Sequence, residues 1–181
     1  AIGYDALNAN TTAANNTAVG YNSLVANTTG AQNTGVGQTA GAGITTGDYN
    51  QAFGYQSMSG GTVTGDSNSG FGAATLYALT SGTRNNALGR SSLSANTTGD
   101  NNTALGAQTL QANTTADDNT AVGYAALNVN TTGASNTAVG KFAGLAVTTG
   151  SSNTLVGIGA GDAITTGGQN IVICARSSDT S

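Results

Sequence analysis

The stretch "NTTGDNNTALG", Asn96 to Gly106, sets Asn102 four residues before Gly106. The same pair recurs seventeen residues earlier as Asn85 and Gly89, and seventeen later as Asn119 and Gly123. Aligned on an apolar residue followed by glycine, the chain gives Gly3, Gly20, Gly37, Gly54, Gly72, Gly89, Gly106, Gly123, Gly140 and Gly157. Every interval is seventeen residues except Gly54 to Gly72, which is eighteen, with the extra residue in "SGGTV" (Ser59 to Val63). The idealised unit reads "NTAVGYxALxANTTGxx". A fixed period of this length points to coils that cannot bury a core alone and must stack on their neighbours.

Each column of the alignment has its own chemistry. Four residues before the next glycine stand Asn16, Asn33, Asn50, Asn68, Asn85, Asn102, Asn119, Asn136 and Asn153, and Asn170 holds the same place before Cys174. Stacked asparagines about 4.8 Å apart can pass amide N–H to amide C=O along the column. A turn residue chosen only for its backbone would instead scatter among Asn, Asp, Gly and Ser. Directly before the glycines come Val19, Val36, Phe53, Phe71, Leu88, Leu105, Val122, Val139 and Val156, with Ile2 before them and Ile173 after. We expect this row to be the buried core column. The "NTAVG" segment alternates as a half-buried strand does. The second segment, "ALxANTT", fits a short strand or a single helical turn, and strand is preferred. The expected fold is all-β: a parallel β-solenoid of about ten coils over residues 1–174, with an exit segment at 175–181 leading towards a following domain.

Composition restricts what such a chain can do. Leu, Ile, Val and Phe total 30 of 181 residues, and there is no histidine or glutamate. Acid–base and metal-site constellations therefore lack their usual material, no nucleophile–base pair can be named, and neither enzyme activity nor a cofactor is expected. The basic residues are Arg84, Arg90, Lys141 and Arg176, too few to track phosphates, so nucleic-acid binding is not expected. No apolar run approaches the ~20 residues of a membrane span. Cys174 is alone, which excludes an intrachain disulfide.

The segments "NTAVG" (Asn16 to Gly20, Asn119 to Gly123, Asn136 to Gly140) and "NTALG" (Asn102 to Gly106) resemble the "NSVAIG"-type strand of YadA-like trimeric autotransporter adhesin heads. The unit "NTAVGYAALNVNTTG" (Asn119 to Gly133) also resembles repeat tracts of phage-type tail fibres. The resemblance implies a left-handed β-roll, a parallel homotrimer and an extracellular attachment role on a virion, a phage-like particle or a bacterial surface. The adhesin-head unit is shorter than seventeen residues, and the shared motif is scaffold, so no ligand residue carries over. Recognition of a cell-surface glycan or receptor is expected on an adjoining domain.

The remaining features have structural and functional readings side by side. Tyr4, Tyr21, Tyr55 and Tyr124 follow their glycines and could stack on sugars or on neighbouring coils. Asp117-Asp118 has no repeated acidic partner set for calcium. Asn10, Asn15, Asn27, Asn96, Asn101, Asn113 and Asn130 begin formal sequons that the repeat itself generates. "GIGAG" (Gly157 to Gly161) belongs to the repeat and is not a nucleotide loop. Pairs such as Thr28-Thr29, Thr97-Thr98 and Thr131-Thr132 raise the alternative of an ice-binding solenoid, although adjacent strand residues face opposite ways.

Overall fold

The computed structural model describes residues 1–173; Cys174 and the exit segment 175–181 lie outside the described residues. The described chain is a β-solenoid. Ten three-residue strands form one parallel sheet in chain order: β1 (Thr17–Val19), β2 (Thr34–Val36), β3 (Gln51–Phe53), β4 (Ser69–Phe71), β5 (Asn86–Leu88), β6 (Thr103–Leu105), β7 (Thr120–Val122), β8 (Thr137–Val139), β9 (Thr154–Val156) and β10 (Ile171–Ile173). Like pairs with like, as in Val122 beside Val139 and Thr120 beside Thr137. Ile2 bridges Val19 and carries the pairing into the first coil. Nine steps of ~4.8 Å make the sheet about 43 Å long.

The central residue of each strand points inward. That row is Ala18, Gly35, Ala52, Gly70, Ala87, Ala104, Ala121, Ala138 and Leu155, all buried, and ends at Val172, which is partly buried against the core. The row Val19, Val36, Phe53, Phe71, Leu88, Leu105, Val122, Val139, Val156 and Ile173, expected as the core, instead lies on the outer face of the sheet. Leu88 is 52% exposed, and the row is nowhere fully buried. The cause is the thinness of the coil. A Cβ on Gly35 would come within 2.9 Å of Leu24 Cγ and 2.6 Å of Ser23 Oγ. At Gly35 even an alanine's single carbon would collide, and in the other coils with a leucine or methionine in the run the inward residue is no larger than alanine, so the larger strand residues face out.

The large core residues come from the other layer. Leu24, Met58, Leu76, Leu93, Leu110 and Leu127 are fully buried. Their segment is neither strand nor helix but a run of turns, for example Tyr21 to Ala26. Two residues per run take left-handed backbone, as Asn22 (φ 53°) and Leu24 (φ 50°) do. Left-handed geometry at a leucine costs about 1–2 kcal/mol, and fully burying the side chain returns about as much. The run also satisfies its own backbone. Asn22 N–H donates to Tyr4 in the preceding coil, Leu24 N–H donates to Ala40 in the following one, and Ser23 N–H closes a turn on Gly20. The glycine that links strand to run has φ of 118–139° in every coil, and the next glycine's carbonyl leaves no room for a Cβ on it.

In eight coils core volume is exchanged between two places in the run, whereas the Gly72 coil fills both, with Leu76 and Leu79 fully buried. Where the fourth residue after the glycine is Leu7, Leu24, Leu93, Leu110 or Leu127, the seventh is Asn10, Asn27, Asn96, Asn113 or Asn130. Where the fourth is Gly41, Gly144 or Gly161, the seventh is Ile44, Val147 or Ile164. Leu155, the one leucine in the inward row of the sheet, sits 2.8 Å from a Cβ built on Gly144 and 2.7 Å from one built on Gly161. The exchange also ends a hydrogen-bonded column. Asn113 and Asn130 donate to the asparagine below, at 2.9 and 3.2 Å, but Val147 offers Asn130 Oδ1 nothing, and that buried oxygen has no partner.

The eighteen-residue interval is absorbed in the run. Met58 keeps the leucine place, and Val63 bridges Ile44 and is fully buried, so Ser59 to Thr62 hold the extra residue. The sheet is undisturbed, with Phe53 opposite Phe71.

The asparagine column closes each coil. Asn102 Oδ1 accepts the backbone N–H of Asn119 at 3.0 Å and its amide at 3.2 Å, while Asn102 Nδ2 donates to Asn85 Oδ1 at 3.1 Å and to Ala116 O at 2.8 Å. Both lone pairs and both amide protons are used. The backbone rung runs unbroken from Asn16 to Asn170. The amide-to-amide rung begins at Asn50.

Two outcomes follow for denaturant unfolding. Asn102→Leu should lower stability by about 3 kcal/mol or more, because the Asn119 N–H and the Ala116 carbonyl lose their partners in a buried place. An unchanged midpoint would reduce the column to a row of turn residues. Val147→Asn alone should cost about 2 kcal/mol through lost apolar volume. Gly144→Leu, Val147→Asn and Leu155→Ala together should recover most of that, since they convert the coil to the leucine–asparagine type. A triple variant less stable than the single one would refute the exchange.

Candidate interaction surfaces

Because the inward row is alanine and glycine from β1 to β8, the outer face of the sheet carries most of its large side chains. It presents two columns. One is mostly hydroxyl, from Thr17 and Thr34 to Thr154, and the other is the apolar row from Val19 to Ile173. Phe53 and Phe71 stack in that row with ring centroids 4.8 Å apart. Apolar side chains this exposed, in one unbroken file along the molecule, are a contiguous patch rather than scattered surface residues.

The tyrosines that follow the glycines border this face. Tyr4 and Tyr21 stack on each other at 5.5 Å. Tyr124 meets Phe142 edge-on at 5.4 Å, and Lys141 Nζ lies 4.9 Å from the Phe142 ring centre. Tyr55 has no ring neighbour and is half exposed. The structure therefore gives these four rings three different settings rather than one repeated platform.

The threonine pairs divide their roles. The first of each pair turns its hydroxyl to the carbonyl of the next coil, as Thr97 does to Thr114 at 3.0 Å and Thr131 to Thr148 at 3.1 Å. The second, as in Thr29, Thr98 and Thr132, is exposed. These outward hydroxyls form a single file.

The aspartates extend the logic of the asparagine column. Asp48, Asp66, Asp100 and Asp117 each accept a backbone N–H from the preceding coil, and Asp118 accepts the Asn101 amide at 3.1 Å. Among the described residues no three metal-ligating side chains gather. Of the sequon asparagines, Asn27, Asn96, Asn113 and Asn130 are fully buried. In "GIGAG", Gly157, Gly159 and Gly161 occupy the left-handed places that Gly20, Asn22 and Leu24 hold in another coil. Among the described residues no helix is long and apolar enough to cross a membrane.

The sequence pattern did not locate the leucine-bearing run as the source of the core. The signal was present in Gly41, Gly144 and Gly161, which stand in the leucine column and mark it as left-handed. No family model, curated protein or solved structure matches the chain.

Proposed function

We propose that the chain is a non-catalytic section of a homotrimeric β-solenoid fibre that serves attachment, on a phage-like particle or a bacterial surface. The observation that supports this reading is the apolar file on the outer face of the sheet. It repeats once per coil, so an occupant that covers it evenly must carry the same pitch. A second copy of the chain, parallel and in register, has that pitch. Covering each half-exposed Val, Leu or Phe contributes on the order of 1 kcal/mol, and the file supplies one such residue per coil. Three copies rather than two, and the attachment role, come from the resemblance to adhesin heads and tail-fibre tracts. In this reading the repeat is a stiff spacer, and a receptor or glycan is bound through an adjoining domain.

A second reading has one observation in its favour. An outward hydroxyl stands at this place in every coil, as Thr12, Thr29, Thr46, Thr64, Ser81, Thr98, Thr115, Thr132, Thr149 and Thr166, following a threonine in all but the Gly54 coil, where it follows Val63. Such regularity suits an ice-binding solenoid, although a single file matches an ice plane in one direction only.

Sedimentation velocity at micromolar concentration distinguishes the readings. The chain should sediment as a trimer. Leu88→Glu combined with Val139→Glu should dissociate it while leaving the coils folded, because both side chains are exposed in the single chain. A stable monomer would remove the fibre reading. A monomer that also produces thermal hysteresis in a freezing assay would establish the ice-binding one.

A further inference from the structure

We propose that the trough beside the eighteen-residue coil binds the pyranose ring of a neutral saccharide. The trough has a volume of about 470 Å³ and is lined by Tyr77, by Ala74, Ala78 and Ala95, and by Gln56, Ser91 and Ser94. It lies on the turn-run layer, opposite the apolar file of the sheet, and all its residues belong to one chain.

Tyr77 is the one aromatic in a variable column, whose other members are Asn8, Val25, Ala42, Ser59, Ser94, Gln111, Asn128, Leu145 and Asp162. The extra residue of the preceding coil is what accommodates it. Gly60 and Gly61 both donate their N–H to the Tyr77 carbonyl, at 2.8 and 3.2 Å. The ring lies against Gly60, where a Cβ would collide with it. The backbone of Tyr77 is thus fixed, and 41% of the residue stays exposed.

The polar groups around the trough are free for a ligand. Ser92 gives its hydroxyl to the Ala104 carbonyl at 3.1 Å, and Ser57 bonds to Thr75 at 2.8 Å. By contrast, the Ser91 and Ser94 hydroxyls, the Gln56 carboxamide and the Tyr77 hydroxyl make no hydrogen bond among the described residues. No charged side chain lines the trough. An aromatic ring, alanine methyls and uncharged donors and acceptors suit a ligand with an apolar C–H face and a hydroxylated edge. The volume falls in the range of small-molecule sites, about 300–1,000 Å³.

The test is saturation-transfer NMR on the full chain with the methyl glycosides of glucose, galactose, mannose and N-acetylglucosamine at millimolar concentration. At least one should receive saturation, strongest at the ring protons of one face. Tyr77→Ala should weaken that glycoside roughly tenfold, and Ala78→Leu, which fills the trough and leaves the ring in place, should do the same. Tyr77→Phe should keep most of the binding. Tyr21→Ala should change nothing. Circular dichroism melts of the variants verify that the coils persist. The proposal is overturned if no glycoside binds, if binding survives Tyr77→Ala and Ala78→Leu, or if indole occupies the trough and the glycosides do not.

Discussion

Every coil is closed by the hydrogen bonds of one carboxamide. The asparagine before each strand from Asn16 to Asn153 holds the backbone N–H of the next coil on its oxygen, and with its nitrogen each of these but Asn119 holds the carbonyl that ends the next loop, as in Asn136 to Gly150. The group is buried, so each bond left unmade would cost about 1–3 kcal/mol. Aspartate has no proton to donate, leucine has neither function, and glutamine is one methylene too long for the same reach. That chemistry explains a column without substitutions in a chain whose exposed places drift from Tyr to Arg to Lys.

The closure sets the thickness of the coil, and thickness sets everything else. With the two layers this close, the sheet contributes Ala or Gly to the interior and turns its Val, Leu and Phe outward. The core is then one large residue deep, supplied by the run of turns. Moving that residue from Leu127 in one coil to Val147 in the next, with Leu155 filling the gap, keeps the volume constant while the backbone path is unchanged. A protein interior tolerates such swaps when volume is conserved.

The period, the parallel stack and the asparagine column were legible because each rests on a residue type with a single physical use. The inward face was not. In a three-residue strand such as Thr120-Ala121-Val122, alternation allows either the middle residue or its neighbours to face the core. Hydrophobicity favours Val122, and only the close approach of the opposite layer decides for Ala121. The turn run was hidden for a different reason: leucine has no preference for left-handed backbone, so Leu110 at φ 49° is held there by its surroundings rather than by its own propensity. Tyr77 carried no signal of its own in the sequence, because its setting depends on Gly60 in the coil beside it.

The exchange of leucine–asparagine coils for glycine–isoleucine ones also bears on how such a molecule can change its length. Coils meet only their two neighbours, and those from Leu93 to Asn130 present the same pair of residues to one another. Loss or tandem duplication of one such unit joins surfaces that already match. A break beside Gly144 does not, since Leu155 must face Gly144 and Gly161 together. Recombination between near-identical units would thus leave viable chains in the middle of the array and defective ones at this junction, making the reach of the rod a heritable quantity that varies in whole coils.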